Sequence, residues 1–130
     1  MAEAGTLLII EDDLFLRFSL RAYLEDSGFT CLEACDGQEG IEAVLAHRPD
    51  LVVTDLRMPG VDGFGVLRAL RALSPATPVI LLSGAGDGAV TEEALELGAV
   101  ACLGKPLTDL ERFVATVRGL LADGAPGVRP

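Results

Sequence analysis

Residues suited to phosphoryl chemistry follow four short apolar runs in this sequence. Each run leads, directly or through one glycine, to carboxylates, a hydroxyl or an ammonium group. Residues 7–10 are followed by Glu11, Asp12 and Asp13, and residues 51–54 by Asp55. Residues 79–82 are followed by Ser83, and residues 99–103 lead through Gly104 to Lys105. If the runs are parallel strands of one sheet, these side chains converge in the crevice at the carboxyl ends of the strands. Such a group suits a divalent cation and a transferred phosphoryl group.

Asp55 is the candidate nucleophile, because a carboxylate at the end of a buried strand can accept a phosphoryl group as an acyl phosphate. Magnesium prefers oxygen ligands and keeps several waters, so Glu11 and Asp12 beside Asp55 would be enough to hold it. Lys105 can pair with phosphoryl oxygens as a point charge, and Ser83 can donate a hydrogen bond to one of them. Without a cation, crowding of the acids should raise at least one carboxyl pKa.

Strand and helix patterns alternate along the whole chain. Buried strands are predicted at 6–10, 29–34, 50–54, 79–82 and 99–103, and helices at 14–27, at 38–47, from Phe64, at 89–97 and from Thr108. Gly28 is predicted to end the first helix, and Thr108 with Glu111 to form a capping box at the last. Five βα units imply an α/β fold, a doubly wound parallel sheet with helices on both faces. The pattern alone leaves the strand order open.

Composition narrows the class of protein. A chain of 130 residues that is half apolar suits one domain with an aliphatic core, here residues 1–123, and a Gly/Pro-rich linker or tail at 124–130. A net charge of −10 disfavours direct nucleic-acid binding. The sequence has no signal peptide and no apolar run long enough for a membrane helix, so a cytoplasmic location is expected. Cys31, Cys35 and Cys102 are interpreted as free thiols rather than a zinc site.

These residues resemble the receiver domain of two-component response regulators. The matching motifs are Glu11-Asp12-Asp13 after an apolar strand, Asp55-Leu-Arg-Met-Pro-Gly-Val-Asp-Gly63, Ser83 and Lys105-Pro106, over about residues 6–121. The resemblance implies a flavodoxin-like (βα)5 fold with strand order 2-1-3-4-5. It also implies that Asp55 takes phosphate from a histidine kinase or a histidine phosphotransfer protein.

The resemblance assigns further roles within the site. It implies Mg²⁺ on Asp12, Asp55 and the backbone carbonyl of Arg57, with Glu11 acting mostly through water. Ser83 and Lys105 would contact the phosphoryl group and couple it to the last two helices. The face formed by the fourth helix, fifth strand and fifth helix would then control an output domain or a partner protein.

The sequence departs from the family pattern at three points. Cys102 stands where the family often has an aromatic residue, so an aromatic switch is not expected. Gly84 replaces a common alanine and opens a Gly-rich loop, which predicts a mobile segment before the fourth helix. The third departure is Leu107 after Lys105-Pro106. This last stretch resembles a subgroup of receivers that precede a phosphatase-like output domain and act as adaptors for a stationary-phase sigma factor.

Two other functions remain open at this point. A degenerate receiver would serve as a phosphorylation-independent interaction module, although the intact acids, Ser83 and Lys105 argue against it. A phosphohydrolase of the haloacid dehalogenase type would need an aspartate at position 57, where Arg57 stands. Ordinary structural roles are predicted for several other residues: Asp13 and Asp62 at helix starts, His47 at a helix end, Cys102 as an apolar filler, Pro106 after a cis peptide bond, and Arg17, Arg21, Arg68 and Arg71 on solvated helix faces.

Overall fold

A computed structural model describes residues 5–84 and 90–122 as a five-stranded parallel sheet flanked by helices. The strands are β1 (Thr6–Ile10), β2 (Thr30–Ala34), β3 (Leu51–Asp55), β4 (Val79–Ser83) and β5 (Ala101–Gly104). The helices are α1 (Leu14–Asp26), α2 (Gly37–His47), α3 (Gly63–Leu73), α4 (Val90–Glu96) and α5 (Leu110–Ala122). The strand order is β2-β1-β3-β4-β5, which confirms the predicted flavodoxin-like topology.

The sheet separates two hydrophobic cores, because successive strand residues point to opposite faces. Leu7 and Ile9 of β1 belong to the core under α1 and α5, which contribute Leu20, Leu24, Phe113, Val114 and Val117. Leu8 and Ile10 belong to the other core, to which α2, α3 and α4 contribute Val44, Val66, Leu67, Leu70 and Ala94. Covering on both faces explains why the strands are continuous apolar runs rather than alternating ones.

The helix ends follow local chemistry. Gly28 has a φ of 106° and follows α1, as predicted from glycine's tolerance of positive φ. Asp13 and Asp62 cap α1 and α3, each accepting a hydrogen bond from the backbone N–H three residues on. The predicted cap at Thr108 is wrong, because the Asp109 carboxylate accepts from the N–H of Arg112 at 3.0 Å. The capping residue therefore lies one position later, and Glu111 does not complete a capping box.

Other predictions are confirmed or corrected by the packing. β5 begins at Ala101 rather than 99, because the N–H of Ala99 still donates to Ala94 and closes the end of α4. The Lys105–Pro106 peptide bond is cis, as predicted. The cysteines are free thiols.

In the stretches 5–84 and 90–122, no helix is long and apolar enough to cross a membrane. The predicted mobile loop at 85–89 and the predicted tail at 124–130 lie outside the described residues.

Two of the four arginines contradict the prediction of solvated helix faces. The Arg17 side chain is only 13% exposed and pairs with Glu33 on β2. Arg71 is half-buried, donates to the carbonyl of Thr77 at 2.9 Å, and lies against Gly98. Helical periodicity missed both because a long side chain can bury its stem against a neighbouring element while its charged end finds a partner.

Candidate functional site

The register of the parallel strands brings the predicted site residues to one edge of the sheet. Asp55, the last residue of β3, is paired with Leu82, and Ser83 follows at the end of β4. Ser83 is in turn paired with Gly104 of β5, directly before Lys105. Glu11 follows Ile10 at the end of β1, which pairs with β3. The strand ends therefore meet at one edge as predicted, and Lys105 contacts both Glu11 and Asp55 there.

Three carboxylates form a cluster at this edge. One oxygen from each of Glu11, Asp12 and Asp55 lies within 4.8 Å of the others. Glu11 and Asp55 are buried, with 2% and 6% of the residue exposed, whereas Asp12 is exposed and leaves the cluster open on one side. A set of hard oxygen donors open to solvent on one side fits a divalent cation that keeps part of its water shell.

Glu11 is buried, and its carboxylate is only partly hydrogen-bonded. Its Oε2 accepts the N–H of Asp13 at 3.1 Å, but its buried Oε1 accepts no hydrogen bond from the described residues. Burial, together with the charge of Asp55, raises the pKa of Glu11 to about 7, even though the Asp13 N–H and Lys105 act in the opposite direction. The direction agrees with the expected rise of one carboxyl pKa, but burial is the larger cause and repulsion from Asp55 the smaller one. In the part of the chain that the structure describes, the buried Oε1 accepts no hydrogen bond and pairs only with the ammonium group of Lys105, at 3.5 Å, so a bound cation would supply the contact that it lacks.

Lys105 supplies the positive charge that faces the acids. Its Nζ lies 3.1 Å from Oδ1 of Asp55 and 3.5 Å from Oε1 of Glu11. Burial opposes the ammonium form, but the hydrogen bond and charge of Asp55, with the charge of Glu11, outweigh it and raise the pKa of Lys105. The backbone N–H of Lys105 donates to the carbonyl of Ser83 at 2.7 Å, which holds the end of β5 against β4.

The backbone around Asp55 is fixed by a close approach of α3. The N–H of Leu56 donates to Oδ1 of Asp55 at 3.0 Å, and the N–H of Gly63 donates to the carbonyl of Leu56 at 2.7 Å. A Cβ at Gly63 would lie 2.6 Å from the carbonyl oxygen of Asp55 and 2.7 Å from Leu81. Glycine at position 63 therefore lets the start of α3 pack directly against the end of β3, which orients Asp55.

Ser83 ends β4, the strand beside β3, and Arg57 follows Asp55 by two residues. Ser83 is buried, and its Oγ lies 3.9 Å from Sγ of Cys102, which packs at the edge of one core as the predicted filler. Arg57 is exposed in the loop two residues after Asp55. The structure keeps other candidates away from the cluster: the Asp62 carboxylate caps α3, and His47 is the exposed last residue of α2.

Arg17 is the neighbour of the cluster that sequence reasoning missed. Its Nη1 donates to the backbone carbonyl of Glu11 at 2.7 Å, and its Nε donates to Glu33 at 2.7 Å. Arg21 also pairs with Glu33, and its second partner is Glu25 rather than the carbonyl of Glu11. The signal that could have found Arg17 is its four-residue spacing from Asp13, which places it on the first turns of α1 above the end of β1.

Comparison with known proteins identifies relatives of this chain in sequence and in fold. The response regulator receiver domain family matches residues 7–118. The transcriptional regulatory protein FixJ of Bradyrhizobium diazoefficiens is 33% identical over 99% of this chain and 62% of its own length. The DNA-binding transcriptional regulator NtrC of Escherichia coli is 33% identical over 88% of the chain and 24% of its own length. A receiver domain of a Francisella response regulator has 28% identity and a TM-score of 0.86, with 92% of this chain and 98% of that one covered.

Proposed function

Because the chain belongs to the response regulator receiver domain family, we propose that it accepts a phosphoryl group on Asp55 from a histidine kinase or a histidine phosphotransfer protein. An oxygen of the Asp55 carboxylate attacks phosphorus, and the phosphorus–nitrogen bond of the donor phosphohistidine breaks. The released imidazole nitrogen takes a proton from solvent, and an acyl phosphate remains on Asp55. The observation that carries the proposal is the buried Asp55 carboxylate, 3.1 Å from an ammonium group and clustered with two further acids.

The residues around Asp55 have complementary roles in this step. Asp12, Asp55 and the backbone carbonyl of Arg57 would hold Mg²⁺, with Glu11 acting mostly through water. When bound, the cation neutralises negative charge on the transferring group. Lys105 moves from pairing with the carboxylate to pairing with phosphoryl oxygens, which are new acceptors for its ammonium group. Ser83 donates its hydroxyl to a phosphoryl oxygen.

The surface beside the site supports a protein donor. Leu14, Phe15 and Phe18, at the start of α1, are 67%, 80% and 63% exposed. They follow directly on the acids of the cluster, because Asp13 caps the helix they belong to. Large apolar side chains exposed together mark interaction surfaces in soluble proteins. A phosphodonor protein that packs on them brings its phosphohistidine to the same edge of the sheet as Asp55.

Phosphorylation is proposed to act on the face formed by α4, β5 and α5. Ser83 and Lys105 lead into the segments before α4 and α5, so a change in their contacts is transmitted to those helices. The chain spans 62% of FixJ and about a quarter of NtrC, both transcriptional regulators. We propose that residues 1–123 form the receiver and 124–130 a linker or tail, and that the receiver controls an output domain or a partner protein in the cytoplasm.

The test is to locate the phosphoryl group. The chain is incubated with acetyl phosphate and Mg²⁺, and intact and peptide masses are measured. We expect one base-labile addition of about 80 Da on Asp55, calculated for a phosphoryl group replacing a proton in an acyl phosphate. It should be absent in Asp55→Asn and when the metal is chelated. A degenerate receiver would give no addition, and modification of His47 would contradict the assignment of Asp55.

A further inference from the structure

Arg17 connects three elements at the back of the acidic cluster. It lies on α1, pairs with Glu33 on β2, and donates to the carbonyl of Glu11 just beyond β1. Its side chain is 13% exposed and that of Glu33 is 23% exposed, so the pair is largely shielded from solvent. The Glu11 carbonyl lies past the last paired residue of β1 and needs a donor from outside the sheet. Arg17 supplies that donor.

We propose that Arg17 is a positioning residue for Glu11 and Asp12 and raises the affinity of the site for Mg²⁺. This inference rests on the proposed function, because it concerns the same metal site. The fork of the guanidinium group allows one side chain to hold the carbonyl of Glu11 with Nη1 while Nε is anchored on Glu33. The N–H of Glu11 donates to Ala34 on β2, so the backbone of the acidic pair is held from two sides. Partners that orient metal ligands typically change metal affinity by 10–100-fold when they are removed.

Electrostatics alone predicts the opposite effect, which makes the inference testable. A guanidinium group close to the cluster repels a divalent cation, so removal of its charge should tighten Mg²⁺ binding. Removal of a positioning contact should weaken it. Arg17→Lys separates the two effects, because lysine keeps the charge but is a point donor without the planar fork.

Arg21 provides the matched control. It carries the same charge on the same helix and pairs with the same Glu33, but its second partner is Glu25 instead of the carbonyl of Glu11. Arg21→Gln therefore removes one charge and one partner of Glu33 while the bond from Arg17 to Glu11 stays in place. Any effect of charge or of general stability should appear in both Arg17 and Arg21 variants.

The experiment is a titration of the metal-free chain with MgCl₂ at fixed ionic strength, followed by amide chemical shifts. We expect Arg17→Lys and Arg17→Gln to weaken Mg²⁺ binding by about tenfold, and Arg21→Gln to bind within about twofold of the wild type. With acetyl phosphate as donor, the Mg²⁺ concentration for half-maximal rate should rise equally in the Arg17 variants. Their rate at saturating Mg²⁺ should return to the wild-type value, which general unfolding would not allow.

Three results would overturn the inference: wild-type affinity in Arg17→Lys, tighter binding in Arg17→Gln, or equal weakening in Arg21→Gln. Circular dichroism at the titration temperature verifies that each variant is folded, and Arg17→Lys serves if Arg17→Gln unfolds. If the wild type binds no Mg²⁺, the proposed metal site fails. In that case the amide chemical shifts of Glu11 and Asp12 in the metal-free chain still test whether Arg17 positions these residues. Both shifts should change in the Arg17 variants and stay at their wild-type values in Arg21→Gln.

Discussion

The buried carboxyl of Glu11 should make the metal-free chain less stable as pH rises. Below pH 4.5 this carboxyl is protonated in both the folded and unfolded states and contributes no difference. Between 4.5 and about 7 the unfolded chain releases the proton while the folded chain retains it, so the free energy of unfolding falls. The gap between these two values, at about 1.4 kcal/mol per pKa unit, amounts to about 3 kcal/mol above pH 7.

Glu11→Gln removes this penalty with little change of shape, because glutamine can still accept the N–H of Asp13. We expect the variant to be more stable than the wild type by about 3 kcal/mol at pH 8, and equally stable near pH 4.5. The assay is urea unfolding in the presence of a chelator at several pH values between these limits. Mg²⁺ should reduce the difference at pH 8, because a cation stabilises the ionised wild-type carboxylate and not the amide.

Glu33→Gln is a control in which the change in the free energy of unfolding should have the opposite sign to that of Glu11→Gln. Hydrogen bonds from Arg21 and Arg17 lower the pKa of Glu33, so its carboxylate stabilises the fold above its unfolded pKa and loses this effect in acid. The variant should therefore be less stable than the wild type at pH 8, with the difference shrinking as pH falls. Parallel stability curves for wild type and Glu11→Gln, or a less stable Glu11→Gln at pH 8, would refute the reasoning.

Two further predictions concern the backbone and the surface. Gly63→Ala should lower the free energy of unfolding by about 2 kcal/mol in a urea titration, because the new Cβ meets the Asp55 carbonyl at 2.6 Å. Gly119→Ala on α5, which has nothing within 4 Å, should instead raise it by up to about 1 kcal/mol; equal losses would contradict the packing argument. Phe18→Ser should slow phosphotransfer from a protein donor at least about tenfold and leave phosphorylation by acetyl phosphate unchanged, as expected for an interface anchor. The exposed Leu45→Ser on α2 should change neither rate, and a slower acetyl phosphate reaction in Phe18→Ser would point to damage at the site itself.

The fold and the reacting groups were predictable because each strand has a clear signal in the sequence. Parallel strands covered on both faces are unbroken apolar runs, and the residue after each run must lie at the carboxyl edge of the sheet. Asp55, Ser83 and Lys105 could therefore be placed together without any knowledge of strand order. The order itself came from family resemblance, since periodicity within a strand says nothing about its neighbours.

The features that the sequence did not predict include one that depends on contacts between different secondary-structure elements. Arg17 is a solvated residue by helical spacing, and its burial follows only once β2 is known to lie beside β1 with Glu33 facing α1. The cap at Asp109 was misplaced by one residue because Thr108 and Asp109 are both good capping residues.

The strands that lead to the acids and the strand that leads to Lys105 occupy different positions in the sheet. β1 and β3, which carry the acids, each have a strand on both sides, whereas β5, which leads to Lys105, is an edge strand with half-buried residues. Local opening costs less free energy where fewer apolar contacts are buried, as in an edge strand compared with a fully covered central strand. We therefore expect the strand that leads to Lys105 to open more readily than the strands that lead to the carboxylates. Such an opening would separate the ammonium group from the acids while β1 and β3 stay paired.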